Sequence, residues 1–445
     1  MYAKILVNSK SIIIYLSTHP LQTPVLPIFA HYLYCKQMFR TMLIAICTTL
    51  LLACNSGSDT TGKELYPTIG SDKSKGPLSE TEKESYRQEL LPMYQSMLIK
   101  TGFSGAILVA KNGEIILEDY KGFYNRSTRQ PVDSQTSFHL ASISKTFTAS
   151  AILHLYEQGK IYLNDPVETY LPGFPYSGIT LLTLLNHRSG LPKYEYFMNE
   201  TITKVVRVKN KKGKWVNKKT YYKDPSRFKG LATNRDVLDY MIRYKIKAVY
   251  PPNQRYQYCN TNYALLAMVI EKVTGKRYPE YLKDSLFTPL GMKNSYVFSI
   301  QDTASYVPSY TYNYAPFPLE SMDAVYGDKN VYSTVRDLLK WNEALQNGSF
   351  VSVSTLENLA YQPYSQETRG QKNYGLGWHL YFPPTTPPVI YHNGWWHGNN
   401  TVFKRLITDH AVVIILGNRF NRNIWAAGKM SSVFTGRVDT TQLEQ

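Results

Sequence analysis

Ser142-Ile143-Ser144-Lys145 sets a hydroxyl three residues before an amine. On a helix that spacing puts both side chains on one face, close enough to touch. A serine hydroxyl is a weak nucleophile near neutral pH. A neighbouring amine can take its proton once burial or a second cation lowers the amine's pKa. A helix beginning here would also aim free N–H groups at an oxyanion forming on a bound carbonyl. Alone, the pattern fits a helix cap followed by a surface lysine just as naturally. A second copy, Ser226-Arg227-Phe228-Lys229, lies beside Pro225 in a basic stretch and is expected on the surface.

Two more segments complete a reactive set. Tyr258-Cys259-Asn260 precedes an apolar-periodic run, which places Tyr258 and Asn260 on a loop entering a helix. His392-Asn393-Gly394 follows the strand-like run Val389 to Tyr391. A nucleophile, proton carriers, an orienting amide and a cation-capable edge are the parts of an acyl-transfer site. No cofactor is expected. Zinc is set aside because His392 and His397 flank two tryptophans and form no helical ligand pair.

The elements that must position these residues are legible in outline. Ser79-Glu80-Thr81-Glu82 is a capping box opening a helix to about Lys100, despite Pro92. Asn112-Gly113 between two apolar runs signals a hairpin. The run from Ser142 to Gln158 is apolar almost all round, so its helix should be buried, and Gly159 stops it. Leu266, Val269, Ile270 and Val273 mark a second helix closed by Gly275, and Ser333-Thr334 cap a third that ends at Gly348. Strand patterns return at Tyr374–Tyr381, Val389–Tyr391, Thr401–Ile407 and Ala411–Leu416. Strands at both ends of the chain without βαβ alternation predict an α+β fold, an antiparallel sheet flanked by helices with a mainly helical part between.

The net charge of +17 is unevenly spread. Residues 1–54 contribute +4 and residues 204–229 contribute +10, which leaves +3 for the rest. A diffuse phosphate-tracking face is excluded, and no nucleic acid is expected. The basic stretch reads as a projecting hairpin. It is either a solvated insertion or a contact for an anionic cell-envelope polymer or lipid headgroups. Met42 to Ala53 is a 12-residue apolar run after Arg40, too short to span a bilayer but suited to a signal peptide. It ends in Leu51-Leu52-Ala53-Cys54, which resembles a bacterial lipoprotein signal and makes Cys54 the expected lipidation site and membrane anchor. The expected organisation is an over-called start plus signal peptide over 1–54, a flexible linker over 55–78 and one hydrolase domain over 79–435. Within that domain, 79–159 and 331–435 carry the sheet, and 160–330 is mainly helical with the insertion 204–229.

With its flanking segments, the chain resembles the serine β-lactamase-related hydrolases: class C β-lactamases, D-Ala-D-Ala carboxypeptidases and related esterases. The likeness runs from about Gly105 to Asn418 and includes FHLASISKTFTA, LLNHRSGLP, YQYCNTNYALLAMVIEKVTG, YSTVRDLLKWNEAL, YGLGW and YHNGWWHG. It implies a β-lactamase/transpeptidase-like fold and a peptide or small-molecule substrate. Ser142 would be the acylated nucleophile and Lys145 its base. Tyr258 would relay protons, and Asn260 would hold the substrate's amide. His392 stands where many relatives have lysine, and the N–H groups of Ser142 and of Trp395, after Gly394, would form an oxyanion hole. His392 tilts the expectation towards peptidase or esterase and away from class C β-lactamase. A non-catalytic envelope-binding protein or penicillin-binding sensor on the same scaffold remains the alternative. Trp395 and Trp396 replace smaller residues and either narrow the cleft or only pack. His187 is read as structural.

Overall fold

The computed structural model describes residues 5–8, 11–14, 76–198, 201–223, 228–365, 367, 371–383 and 386–435. The chain divides into two units, Met1–Leu65 and Tyr66–Gln445. In the first, Ile5–Asn8 and Ser11–Ile14 pair antiparallel. The signal-like run, Cys54 and the linker up to residue 75 lie outside the described residues. The linker's last residues already belong to the folded body: Leu78 is buried in a core cluster, and Asn112 Nδ2 donates to Gly76 O.

In the second unit α1 (Glu80–Met97) starts at the expected capping box, with Ser79 and Glu82 bonded reciprocally. Strands β1 (Gly105–Lys111) and β2 (Glu114–Lys121) follow, joined by Asn112 and Gly113, both at positive φ. A short β3 (Phe138–His139) leads to the buried helix α2 (Ser144–Glu157). Then come α3 (Tyr194–Phe197), the basic hairpin β4 (Thr201–Lys209) and β5 (Trp215–Lys223), and α4 (Asn260–Thr274). Beyond β6 (Tyr296–Val297) and β7 (Val331–Ser333), Thr334 caps α5 (Val335–Asn347).

The chain returns through β8 (Lys372–Tyr374), β9 (His379–Tyr381), β10 (Val389–Trp396), β11 (Asn399–Leu406) and β12 (Ala411–Gly417). All join β1 and β2 in one antiparallel sheet ordered β8-β9-β10-β11-β12-β1-β2. The α+β expectation holds.

The alternation along β1 explains its unbroken apolar run. Leu108 belongs to one core cluster with Phe147, Leu265 and Trp341, while Ile107 and Val109 belong to a second with Leu90 and Tyr94 of α1. A strand covered on both faces needs no polar residues between its apolar ones.

Two sequence expectations change here. The segment 374–381 is two strands, broken at Gly375–Trp378 where Gly377 takes φ +86°. The strand read as ending at Tyr391 runs on to Trp396, so His392-Asn393-Gly394 lies inside β10, not after it.

Candidate active site

Ser142 lies in a single 3-10 turn, Ala141–Ile143, ahead of the first α-helical residue Ser144. The turn is held from outside. Ala141 sits at φ +49°, a costly conformation for a residue with a Cβ. Its N–H donates to His139 Nδ1 at 3.0 Å, and His139 Nε2 meets Asn330 Oδ1 at 2.9 Å. Burial pushes His139 down to about 4, so the ring is neutral. Its Nδ1 accepts while Nε2–H donates. A strained backbone next to the nucleophile is thus fixed by a buried imidazole.

Lys145, fully buried on α2, donates from Nζ to Ser142 Oγ at 3.1 Å and to Asp328 O at 2.7 Å. Its Nζ stands 5.0 Å from the ring centre of Tyr258 and 5.7 Å from that of Tyr263. Burial lowers the amine to about 8, against the opposing pull of Asp328 and Glu195. An amine so poised is neutral in a useful fraction of molecules near neutral pH and can accept the serine proton. Burial, opposed by the nearby Ser142 hydroxyl, holds the Tyr258 phenol well above the usual tyrosine value, so it stays protonated.

Tyr258 is fixed by rings the sequence did not single out for the site. His187, which the sequence marks as structural, lies tilted against it with ring centres 4.3 Å apart and accepts the Cys259 N–H at 3.2 Å through Nδ1. His379 is parallel to Tyr258 at 6.2 Å. Tyr374 closes the cluster and meets His392 Nε2 at 3.2 Å.

His392 therefore joins the site, but not as a cation. Its Nδ1–H donates to Asn393 O at 2.7 Å, its Nε2 accepts from Tyr374, and burial together with His379 and Lys145 pushes its pKa far down. The cation-capable edge expected there is a neutral imidazole.

Gly394 is required by close approach. A Cβ would fall 2.5 Å from Leu140 O, 3.0 Å from Ala141 Cβ and 2.2 Å from Thr401 Oγ1, so only glycine lets β10 lie against the nucleophile turn. The two tryptophans diverge with the strand's alternation. Trp395 is 55% exposed. Trp396 donates from Nε1 to Asp323 Oδ1 at 2.7 Å and lies 4.7 Å from Lys329 Nζ.

Asn260 opens α4, and its Nδ2 donates to Glu195 Oε1. One N–H of the amide expected to hold substrate is thus engaged with Glu195. Ser142, Glu195, Tyr258, Asn260 and Asn393 are all partly exposed, so solvent reaches the cluster. A separate void of about 20 Å³, room for one water, is lined by His139, Asp323, Asn330, Trp396 and His397 but by no member of this cluster. Among the described residues no group of His, Cys, Asp and Glu could hold a metal ion.

The sequence model of the Beta-lactamase family matches residues 98–424. The chain belongs to the Beta-lactamase family. Penicillin-binding protein 4* of Bacillus subtilis (strain 168) is 31% identical over 355 residues, covering 76% of this chain and 73% of that protein. Teichoic acid D-alanine hydrolase of Staphylococcus aureus (strain MRSA252) is 26% identical over 326 residues, covering 71% and 72%. Among solved structures, a penicillin-binding protein from Bacillus halodurans superposes with a TM-score of 0.61 at 23% identity, over 75% of this chain and 97% of that one. The chain is a Beta-lactamase-family serine hydrolase. Within the family frame, Asp328, Glu195 and Tyr374 are the site neighbours that sequence reading missed. Tyr374 had a signal in the quoted YGLGW segment, whereas Asp328 and Glu195 are single loop or helix-start acids with none.

Proposed function

We propose that the protein cleaves esters or amides of D-amino acids through an acyl-enzyme on Ser142. The observation that carries this reading is the 3.1 Å contact between Ser142 Oγ and a buried amine lowered to about 8. Lys145 takes the proton as Ser142 attacks. The N–H groups of Ser142 and Trp395 receive the oxyanion. Tyr258, a neutral phenol, donates to the leaving group and then passes the proton of the deacylating water. The neutral His392 gives no fixed charge for a terminal carboxylate. This supports an esterase-like or peptidase-like activity on uncharged leaving groups over β-lactam or D-Ala-D-Ala carboxypeptidase chemistry, and the similarity to a teichoic acid D-alanine hydrolase is consistent with it.

The same reading places 79–435 as one hydrolase domain working at the cell envelope, anchored by lipid on Cys54. It also assigns the hairpin to contact with an anionic envelope polymer. Over 201–223 the hairpin carries nine Lys or Arg and no acid. Purified protein incubated with a chromogenic D-alanyl ester and with a fluorescent penicillin tests the activity. Ser142-dependent turnover of the ester supports it. Stoichiometric labelling with no turnover of any acyl donor would instead identify a penicillin-binding sensor. Fatty-acid labelling that disappears in Cys54→Ala tests the anchor.

A further inference from the structure

Two buried acceptors where the starts of α3 and α4 meet have no donor. Glu195 Oε1 takes the Asn260 NH₂ group, and a carboxylate that only accepts fixes the amide's orientation, turning Asn260 Oδ1 away. Asn260 Oδ1 and Glu195 Oε2 are each sealed from solvent without a hydrogen bond. Buried acceptors left unpaired are costly, so the arrangement is completed by something that donates.

Their position is fixed by the same elements that hold the site. Tyr194 N donates to Thr261 Oγ1 at 2.8 Å, which pins the start of α3 to the start of α4, two residues beyond Tyr258. Burial, with Asp328 nearby, pushes the Glu195 carboxyl up from its ordinary value, so a bound cation is what would favour its charged form. Lys329 Nζ, 3.7 Å from Asp328 Oδ2, serves that carboxylate, whereas Glu195 has no ion-pair partner among the described residues. Lys145 must be neutral to act as a base, so in the reactive state Glu195 and Asp328 face the single charge of Lys329. An ammonium brings three donors and one positive charge. An N-acylated amine brings one N–H and a carbonyl oxygen that would be repelled by the carboxylate.

We propose that Glu195 Oε2 and Asn260 Oδ1 form a subsite for a free ammonium group on the acyl half of the substrate, so that the enzyme selects aminoacyl esters and amides over N-acylated ones. Glu195 is then a specificity residue, and the inference rests on the serine-hydrolase reading.

Full-length protein is assayed on D-alanine p-nitroanilide and on N-acetyl-D-alanine p-nitroanilide, with Glu195→Gln in parallel. The expected result is a preference for the free amine of roughly 10- to 100-fold in kcat/KM. Glu195→Gln should bring the ratio of the two kcat/KM values most of the way to one, chiefly through KM for the free amine, over any change common to both substrates that loss of its pull on Lys145 brings. Equal rates on both substrates in the wild type, or equal losses on both in Glu195→Gln, would overturn the subsite. The wild-type ratio decides by itself if the variant does not fold. Should neither anilide react while a fluorophosphonate still labels Ser142, the subsite fails and the hydrolase reading stands. Absence of Ser142-dependent reaction with any acyl donor overturns both.

Discussion

The nucleophile turn and the basic hairpin are opposite ways of using a short segment. Around Ser142 each group is specified by several others: Ala141 by His139, β10 by Gly394, Lys145 by Ser142 and Asp328. In the hairpin β4–β5, Arg207 and Lys209 stand 5.8 and 5.4 Å from the ring of Trp215, which is itself 57% exposed. The first region derives its chemistry from being closed in, since burial is what brings an amine down to about 8. The second leaves its basic side chains open to water. Substitutions at the turn should therefore be costly to the reaction, and to the fold as well where they disturb its packing, and nearly silent for stability at the hairpin.

The largest effect is expected from Ser142→Ala, which should cut turnover by at least about 10³-fold with melting unchanged, read by steady-state kinetics and calorimetry. Retained turnover would move the nucleophile elsewhere. Next comes Gly394→Ala. The added Cβ meets Leu140 O and Thr401 Oγ1, so a loss of about 1–3 kcal/mol in urea unfolding is expected together with slower acylation. A neutral outcome in both would show that β10 does not bear on the turn.

Acid should separate the regions too. Burial holds His139 at about 4 and His379 at about 3, below the unfolded value near 6.5. Between those limits the unfolded chain binds more protons than the folded one. Stability is thus full above about pH 6.5 and falls as pH drops towards 4, by about 1.4 kcal/mol per unit for each such ring. His139→Gln should flatten that slope. At the small end, Trp215→Ala in the hairpin should shift stability by less than about 0.5 kcal/mol while weakening salt-sensitive binding to an anionic polymer. A large loss of stability there would mean the hairpin packs on the body.

The contrast also sorts what the residues disclosed before folding. Ser142, Lys145 and Tyr258 were legible because each sits in a short pattern at an element boundary. The Asn112-Gly113 hairpin was legible because its turn demands positive φ. The extension of β10 through His392-Asn393-Gly394 was hidden, since asparagine and glycine are poor strand formers and the strand persists there only because β11 pairs with it up to Trp396. Glu195 and Asp328 were hidden for another reason. Their importance comes from contacts 65 and 183 residues away in the chain, to Asn260 and Lys145, which no local pattern encodes.

The central claim is that a buried amine deprotonates Ser142, and the rate of Ser142 acylation as a function of pH, in wild type and Lys145→Ala, tests it most directly. With the amine lowered to about 8, the neutral form grows as pH rises. Acylation followed by intact mass should therefore climb through pH 8 and level off above it, and Lys145→Ala should be slower by about 10²–10⁴-fold with that step gone. Unchanged acylation in Lys145→Ala, or a wild-type profile flat from pH 6 to 10, would contradict it.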